Sequence, residues 1–408
     1  MSLSPFLHAF ARPAAKADEF ITIVRGEGAM VYDKAGKGYV DGLASLWYCN
    51  VGHGNTEIAD AISAQSRKLG AFQTFDIFTN EPAEELATEL VSLAPMPDAR
   101  VFYTSGGSEA VDTAIKLARI SHVQAGNPDK TVIISRSPSY HGVNYGGLAA
   151  TGIAANQAGF GKMLPDFVQV PQNDLDAMGA ACAMHAGKIA AIIAEPVLGA
   201  PGVFPPSPGY LNGLRALADQ HGAYLILDEV ICGFGRLGEW WGAQKYGVTP
   251  DLVCFAKGVT SGYQPLGGVL VGQAVRAPLE ADSSFLLRHG YTYSGHPTAA
   301  AAGVANLKII RRDGLLERAN VLGARLGAGL EAVTSGRVAE LRGAGAVWAI
   351  TMNEGVSNVA VRNTMLEHGV IVRPIAPNHI AYCPPLVSTE AQIDQLISAT
   401  DAALSAHT

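Results

Sequence analysis

Tyr224-Leu225-Ile226-Leu227-Asp228-Glu229 is the stretch on which the fold turns. Its apolar run is too short for a helix and lacks polar alternation, so it reads as a strand buried on both faces, the kind a parallel sheet contains. The run stops on two carboxylates, and the same plan recurs on either side of it. Val101-Phe102-Tyr103 leads to Ser105-Gly106-Gly107-Ser108, and Val132-Ile133-Ile134 to Ser139-Tyr140-His141-Gly142. Ile189 to Ala194 leads to Glu195-Pro196, and Leu252 to Phe255 to Lys257-Gly258. Val269 to Val271 is a further short run, and helix-like stretches such as Ser108 to Arg119 and Tyr210 to His221 lie between runs. Strand and helix in alternation predict an α/β fold, doubly wound around a mostly parallel sheet.

The two ends of the chain differ from this middle. Ile21 to Val24, Ala29 to Tyr32 and Gly38 to Val40 read as small strands separated by glycine turns. Beyond about residue 300, Leu315, Ala319, Leu322, Leu326 and Leu330 share one helical face. Ile393, Leu396, Ile397 and Leu404 share another after a capping box at Thr389 to Gln392, with Thr400 as the one polar interruption. The division expected is 1–46 and 300–408 as a smaller unit flanking a large one at 47–299.

Composition narrows the function. With 29 basic and 36 acidic side chains the net charge is −7, which argues against a phosphate-backbone partner. Charged residues are only 16% of the chain, against about 25% for an average soluble protein, so part of the surface is expected to be covered in an oligomer. Cys49, Cys182, Cys232, Cys254 and Cys383 are odd in number and scattered, suggesting neither a disulfide framework nor a metal site. No signal-peptide core and no membrane-spanning run is visible. A cytoplasmic protein, bound to neither membrane nor nucleic acid, is expected.

In an open α/β sheet, ligands bind outside the carboxyl ends of the strands. There the chain presents Ser, Tyr and His, Glu, Asp and Lys. Ser105-Gly106-Gly107-Ser108 opens a helix, so its N–H groups and the helix terminus suit a phosphate. A plain glycine turn with Ser108 as N-cap explains it equally well. Lys257 follows a buried strand, where desolvation lowers an amine's pKa and frees a nucleophile for Schiff-base chemistry. Asp228 at the end of its strand needs a cationic partner, such as a protonated pyridine nitrogen, or else caps the next turn. Gly233-Phe234-Gly235-Arg236-Leu237-Gly238 matches a dinucleotide fingerprint, but Glu239-Trp240-Trp241-Gly242 follows instead of an apolar helix. An NAD-dependent dehydrogenase is therefore kept only as the rival of a different class.

Taken in order, Thr104 to Ala110, Tyr140-His141-Gly142, Glu195-Pro196, Leu227 to Arg236, Pro250-Asp251, Ala256-Lys257-Gly258 and Tyr291 to Pro297 resemble the class III (ω-amino-acid) aminotransferases. The similarity runs over nearly the whole chain and is greatest to the amine:pyruvate branch. It implies fold type I of the pyridoxal-phosphate (PLP) enzymes: a mostly parallel seven-stranded domain plus a smaller α/β domain built from both chain ends. Lys257 would hold PLP covalently and shuttle the proton, and Asp228 would keep the ring nitrogen protonated. Tyr140 would stack on the ring with His141 beside it, and Val230 and Ile231 would pack opposite. Gly107 and Ser108 would bind the phosphate, joined by Thr292 from the partner of a homodimer, or of a tetramer, with shared active sites. Glu195 would order the surroundings, or form a plain ion pair. No metal is implied.

Two residues then bear on substrate. Trp47 matches an aromatic of the amine pocket, although the residue alone reads as a packing aromatic. Arg373 matches an arginine that grips a substrate carboxylate, a task its planar fork suits, although a surface ion pair is the commoner fate of arginine. Ile231 stands where ornithine and 4-aminobutyrate enzymes carry Gln. The implied activity is a transaminase moving an amino group from a primary amine or ω-amino acid to pyruvate. The alternatives are 2-oxoglutarate as acceptor, or a PLP aminomutase or decarboxylase.

Overall fold

The computed structural model describes residues 3–407; Met1, Ser2 and Thr408, the extremities of the expected smaller unit, lie outside them. Seven strands form the large sheet: Arg100–Thr104 (β1), Val132–Ser137 (β2), Phe167–Pro171 (β3), Ile189–Ala194 (β4), Tyr224–Asp228 (β5), Leu252–Phe255 (β6) and Gly267–Val271 (β7). Their order is β1-β7-β6-β5-β4-β2-β3, and only β7 runs against its neighbours. The other six strands therefore all point their carboxyl ends to one edge.

Alternation along each strand feeds two cores. Ile133, Ile193, Ile226, Cys254 and Val269 face the helix Gly107–Gln124, which turns Ala110, Val111, Ala114, Leu117 and Ala118 toward them. Ile134, Ile192, Leu225, Leu227, Val253 and Phe255 join the opposite core with the helices Glu81–Ser92, Tyr210–Gln220 and Pro297–Arg312. All six residues of β4 are buried. Removing each isoleucine from water contributes roughly 1.5–3 kcal/mol, which is why such runs occupy the centre of a sheet.

Two smaller sheets come from the chain ends. One holds Ile23–Glu27, Met30–Asp33, Gly38–Asp41 and Val370–Ile371, the last parallel to the third. The other holds Val338–Ala344, Val347–Met352, His379–Tyr382 and Arg373–Ile375. The predicted stripe on Leu315–Thr334 is buried but serves two cores: Leu315 and Ala319 enter the large one, Leu322, Leu326 and Leu330 the small one. Thr400 interrupts the last helix harmlessly, since its hydroxyl donates to the Leu396 carbonyl and meets Tyr382 Oη at 3.0 Å. The expected capping box is present, with Thr389 and Gln392 exchanging side-chain and backbone bonds.

Four details differ from expectation. The first small strand lies at Ile23–Glu27 and is largely exposed, because it is an edge. β3 has no continuous apolar run to mark it, being another edge strand with only Val170 buried. The helix after β1 begins at Gly107 with Gly106 as N-cap, so Ser108 is not the cap. The expected division at 299/300 falls inside Pro297–Arg312, a helix packed into the large core. Among the described residues no helix is long and apolar enough to cross a membrane. All five cysteines are free and buried.

Candidate active site

The common edge of the sheet carries one cavity, lined by Gly107, Ser108, Tyr140, His141, Gly142, Glu195, Asp228, Val230, Ile231 and Lys257. Residues from five strand ends thus meet at one place. The glycines are required for closure. A Cβ on Gly107 would sit 2.9 Å from Val230 Cγ1, and Gly142, at φ +111°, would place one 2.7 Å from Ser108 Oγ. Ser108 turns its hydroxyl to accept the Val143 N–H at 3.1 Å, pinning the loop after β2 to the helix start.

Asp228 lies beneath this floor. Its Oδ2 is 2.9 Å from His141 Nδ1, and its Oδ1 accepts the Val230 N–H at 3.2 Å. His141 Nε2, on the other side of the ring, is buried and without a partner among the described residues. Glu195 is buried too, accepting N–H groups of Tyr140 at 3.0 Å and Gly199 at 2.9 Å. Burial pushes its carboxyl up, with His141 pulling it back. Below it Arg136, 1% exposed, donates to the Glu195 carbonyl. Sequence reading missed Arg136, since an arginine inside Val132–Ser137 looks like a flaw in a strand rather than a cation under a site. It also missed Gly142 as a cavity wall.

Lys257 stands opposite on backbone held at φ 46°, the left-handed region that non-glycine residues avoid. Burial lowers the pKa of its amine, and the charges of Asp228 and Glu195 partly oppose that. The Tyr140 phenol is held above its ordinary range, first by burial and then by Asp228. Arg373 begins the strand Arg373–Ile375 and lies close enough to perturb both Tyr140 and Lys257. Its guanidinium is half-buried with no ion-pair or hydrogen-bond partner among the described residues, and burial depresses its pKa.

The remaining expected residues lie outside the cavity wall. Trp47 is 4% exposed in an apolar cluster with Leu43, Val203 and Ile231. Thr292 is exposed on the segment before Pro297–Arg312 and is not among the lining residues. The glycine fingerprint at 233–238 opens no helix. Phe234 and Arg236 there are fully buried, and Arg236 donates to the Ala346 and Pro384 carbonyls and to Asn50 Oδ1. A half-buried lysine, a buried carboxylate and a glycine-floored helix start, gathered in one cavity, can fix an aldehyde, a ring cation and an anion together.

Residues 12–404 match the family described as Aminotransferase class-III. A putrescine–pyruvate aminotransferase of Pseudomonas aeruginosa is 35% identical, over 92% of this chain and 88% of that protein. A diaminobutyrate–2-oxoglutarate transaminase of Halomonas elongata is 33% identical, over 94% of this chain and 89% of that protein. Among solved structures, the omega transaminase of Pseudomonas jessenii in complex with PMP superposes with a TM-score of 0.94 at 32% identity, over 98% of this chain and 96% of that one.

Proposed function

The chain belongs to the class III aminotransferases, which work with PLP, and from that premise we propose that it moves an amino group from a primary amine or ω-amino acid to pyruvate. An aldehyde or ketone and alanine would be the products. The cavity fits the cofactor on grounds of its own. Asp228 is a buried carboxylate facing a space where a ring cation would balance it, and His141 Nε2 is a buried polar atom lacking a partner among the described residues.

Lys257 would hold the cofactor covalently, with Tyr140 and Val230 flanking the ring and Ile231 beside it. Gly107 and Ser108 would take the phosphate, together with Thr292 of the partner subunit. When bound, the cofactor supplies the electron sink for the carbon that loses its proton. The chain's own work is proton handling and orientation. Lys257 would accept and return the substrate's proton at its Nζ, and its lowered pKa favours the neutral form able to do so. Asp228, itself oriented by His141, would stabilise positive charge on the ring nitrogen. Glu195 fixes the Tyr140 backbone from below.

The observation that carries the acceptor is Arg373, a half-buried guanidinium beside Tyr140 and Lys257 that pairs with nothing among the described residues. One free fork suits one carboxylate, as in pyruvate; 2-oxoglutarate brings two. The apolar Val230, Ile231 and the Trp47 cluster behind suit an amine without charge on its far side. Free, buried cysteines fit a reducing compartment, and we place the enzyme in the cytoplasm.

The test is the visible absorbance of PLP-loaded protein, with L-alanine and separately L-glutamate added without acceptor. Loss of the cofactor band with alanine but not glutamate is the expected outcome. Bleaching by glutamate alone would keep the transaminase and overturn pyruvate. Lys257→Ala is expected to abolish turnover, and a variant with wild-type rate would end the proposed mechanism.

A further inference from the structure

Asp41, His53 and Cys49 form a chain of contacts outside the cavity. His53 Nε2 lies 2.8 Å from Asp41 Oδ2, and His53 Nδ1 lies 3.6 Å from Cys49 Sγ. Carboxylate, imidazole and thiol in this order have the outline of a nucleophilic triad. Cys49 is only 2% exposed, however, and burial drives its thiol well above the ordinary range, so no thiolate is on offer.

The trio touches a backbone turn instead. Asp41 Oδ1 accepts the Leu43 N–H at 3.1 Å, and Oδ2 accepts the Ser45 N–H at 2.6 Å. The turn so held, Ala44–Trp47, is strained, with φ of 46° at Ala44, 58° at Ser45 and 67° at Trp47. Three non-glycine residues in the left-handed region persist only where their surroundings over-determine them, and such strain gathers at functional sites. His53 is fixed in turn, exchanging backbone bonds with Gly28 in both directions. A Cβ on Gly26 would lie 2.6 Å from His53 Cβ, so only glycine there lets the histidine sit this close to the first small strand. At the far end of the turn, Trp47 packs in the cluster that contains Ile231, a wall of the cavity.

From these contacts we infer that Asp41 and His53 are positioning residues for the amine pocket. They hold the strained turn so that Trp47 backs Ile231, and thereby set which amines the site accepts. The inference rests on the amine-binding reading proposed above. His53 donates from Nε2 to Asp41, and Asp41 spends its remaining acceptor capacity on the turn. Removing either group frees the turn to relax and Trp47 to shift.

The experiment compares kcat/KM for 1-phenylethylamine and for 2-aminobutane in PLP-loaded enzyme, with pyruvate as acceptor, or 2-oxoglutarate should the wild type prefer it. The acceptor reading can thus fail while the pair is still tested. Asp41→Asn and Trp47→Ala are each expected to change the ratio of the two by about tenfold, the range that pocket contacts control. In the Trp47→Ala background, Asp41→Asn should change it less than about twofold, because its route to the substrate is gone. His53→Ala should shift the ratio as Asp41→Asn does, and His53→Gln, which keeps a donor toward Asp41, should restore it. The histidine pair carries the test if Asp41→Asn does not fold. A parallel loss for both amines, or an equal shift in the Trp47→Ala background, would overturn the inference. A Trp47→Ala enzyme with an unchanged ratio would sink both it and the role given to Trp47.

Discussion

Lys257 and Asp228 line one cavity with opposite demands: an amine pushed toward neutrality by burial, and a buried carboxylate held by one imidazole and one backbone N–H. Asp228→Asn keeps the shape and can still accept from His141, but removes the charge. If that charge stabilises the ring cation, kcat should fall by about 10²–10³, the usual loss for a preorganised electrostatic partner. Steady-state kinetics check this, and an unchanged kcat would take Asp228 out of the mechanism. Arg373→Ala should cost about 10- to 100-fold in kcat/KM for pyruvate, the worth of a charge-assisted contact. An amine lacking a carboxylate should lose less than about threefold. Equal losses would remove Arg373 from acceptor recognition. Lys257 and Asp228 were legible because each ends an apolar run, where a charged residue needs a reason. Arg136 was not, because only the assembled sheet shows that it lies beneath Glu195.

At the scale of elements, the loop from Glu229 to Gly242 shows how much of the site is held from behind. Glu229, fully buried next to Asp228, accepts N–H bonds from Gly242 at 2.8 Å and Ala243 at 2.7 Å, clamping the loop's far end to its start. Burial pushes its carboxyl up to about 7, against a reference of 4.5. Between those values the folded chain keeps a proton that the unfolded chain has released. The stability Glu229 contributes is therefore full below about pH 4.5 and lost as pH rises through about 7. Glu229→Gln cannot ionise and escapes that loss. Unfolding measured in urea from pH 5 to 8 should thus show the variant gaining on the wild type, by at most about 3 kcal/mol. His379, which burial holds down to about 4, works in the opposite direction in both proteins and drops out of the difference. A flat difference would mean that Glu229 titrates normally. The glycines of this loop match a dinucleotide fingerprint that the sequence already discounted, and glycine spacing alone does not say what approaches the backbone. Here Gly238, at φ 89°, makes room for Asn320, not for a phosphate. The edge strand β3 was invisible for the converse reason: half-exposed, it lacks the continuous apolar run that marked its neighbours.

For the whole molecule, the exposed apolar surface argues for a second copy. Phe72, Phe75, Ile77 and Phe78 are 45–82% exposed, and Tyr293 is 66% exposed. The two segments are tied together: Thr74 Oγ1 donates to the Ser294 carbonyl, Asn80 Nδ2 to the Gly295 carbonyl, and Gly290 packs on the Phe75 ring. Thr292 lies on this ridge, away from its own cavity, and apolar surface so concentrated marks a contact face. If the ridge pairs with another copy, each Thr292 completes the phosphate seat of the neighbouring subunit. Thr292→Ala should then weaken PLP binding about tenfold, the value of one hydrogen bond to a charged oxygen. A hybrid dimer decides whose site it serves. Pairing a Lys257→Ala subunit with a Thr292→Ala subunit leaves one site with Lys257 from the second and an intact Thr292 from the first. Under the shared arrangement that site binds PLP with wild-type affinity, and half the wild-type activity returns at limiting cofactor. Should Thr292 serve its own subunit, the only site with Lys257 keeps the weakened affinity and the activity stays low, and the shared site would have to be given up.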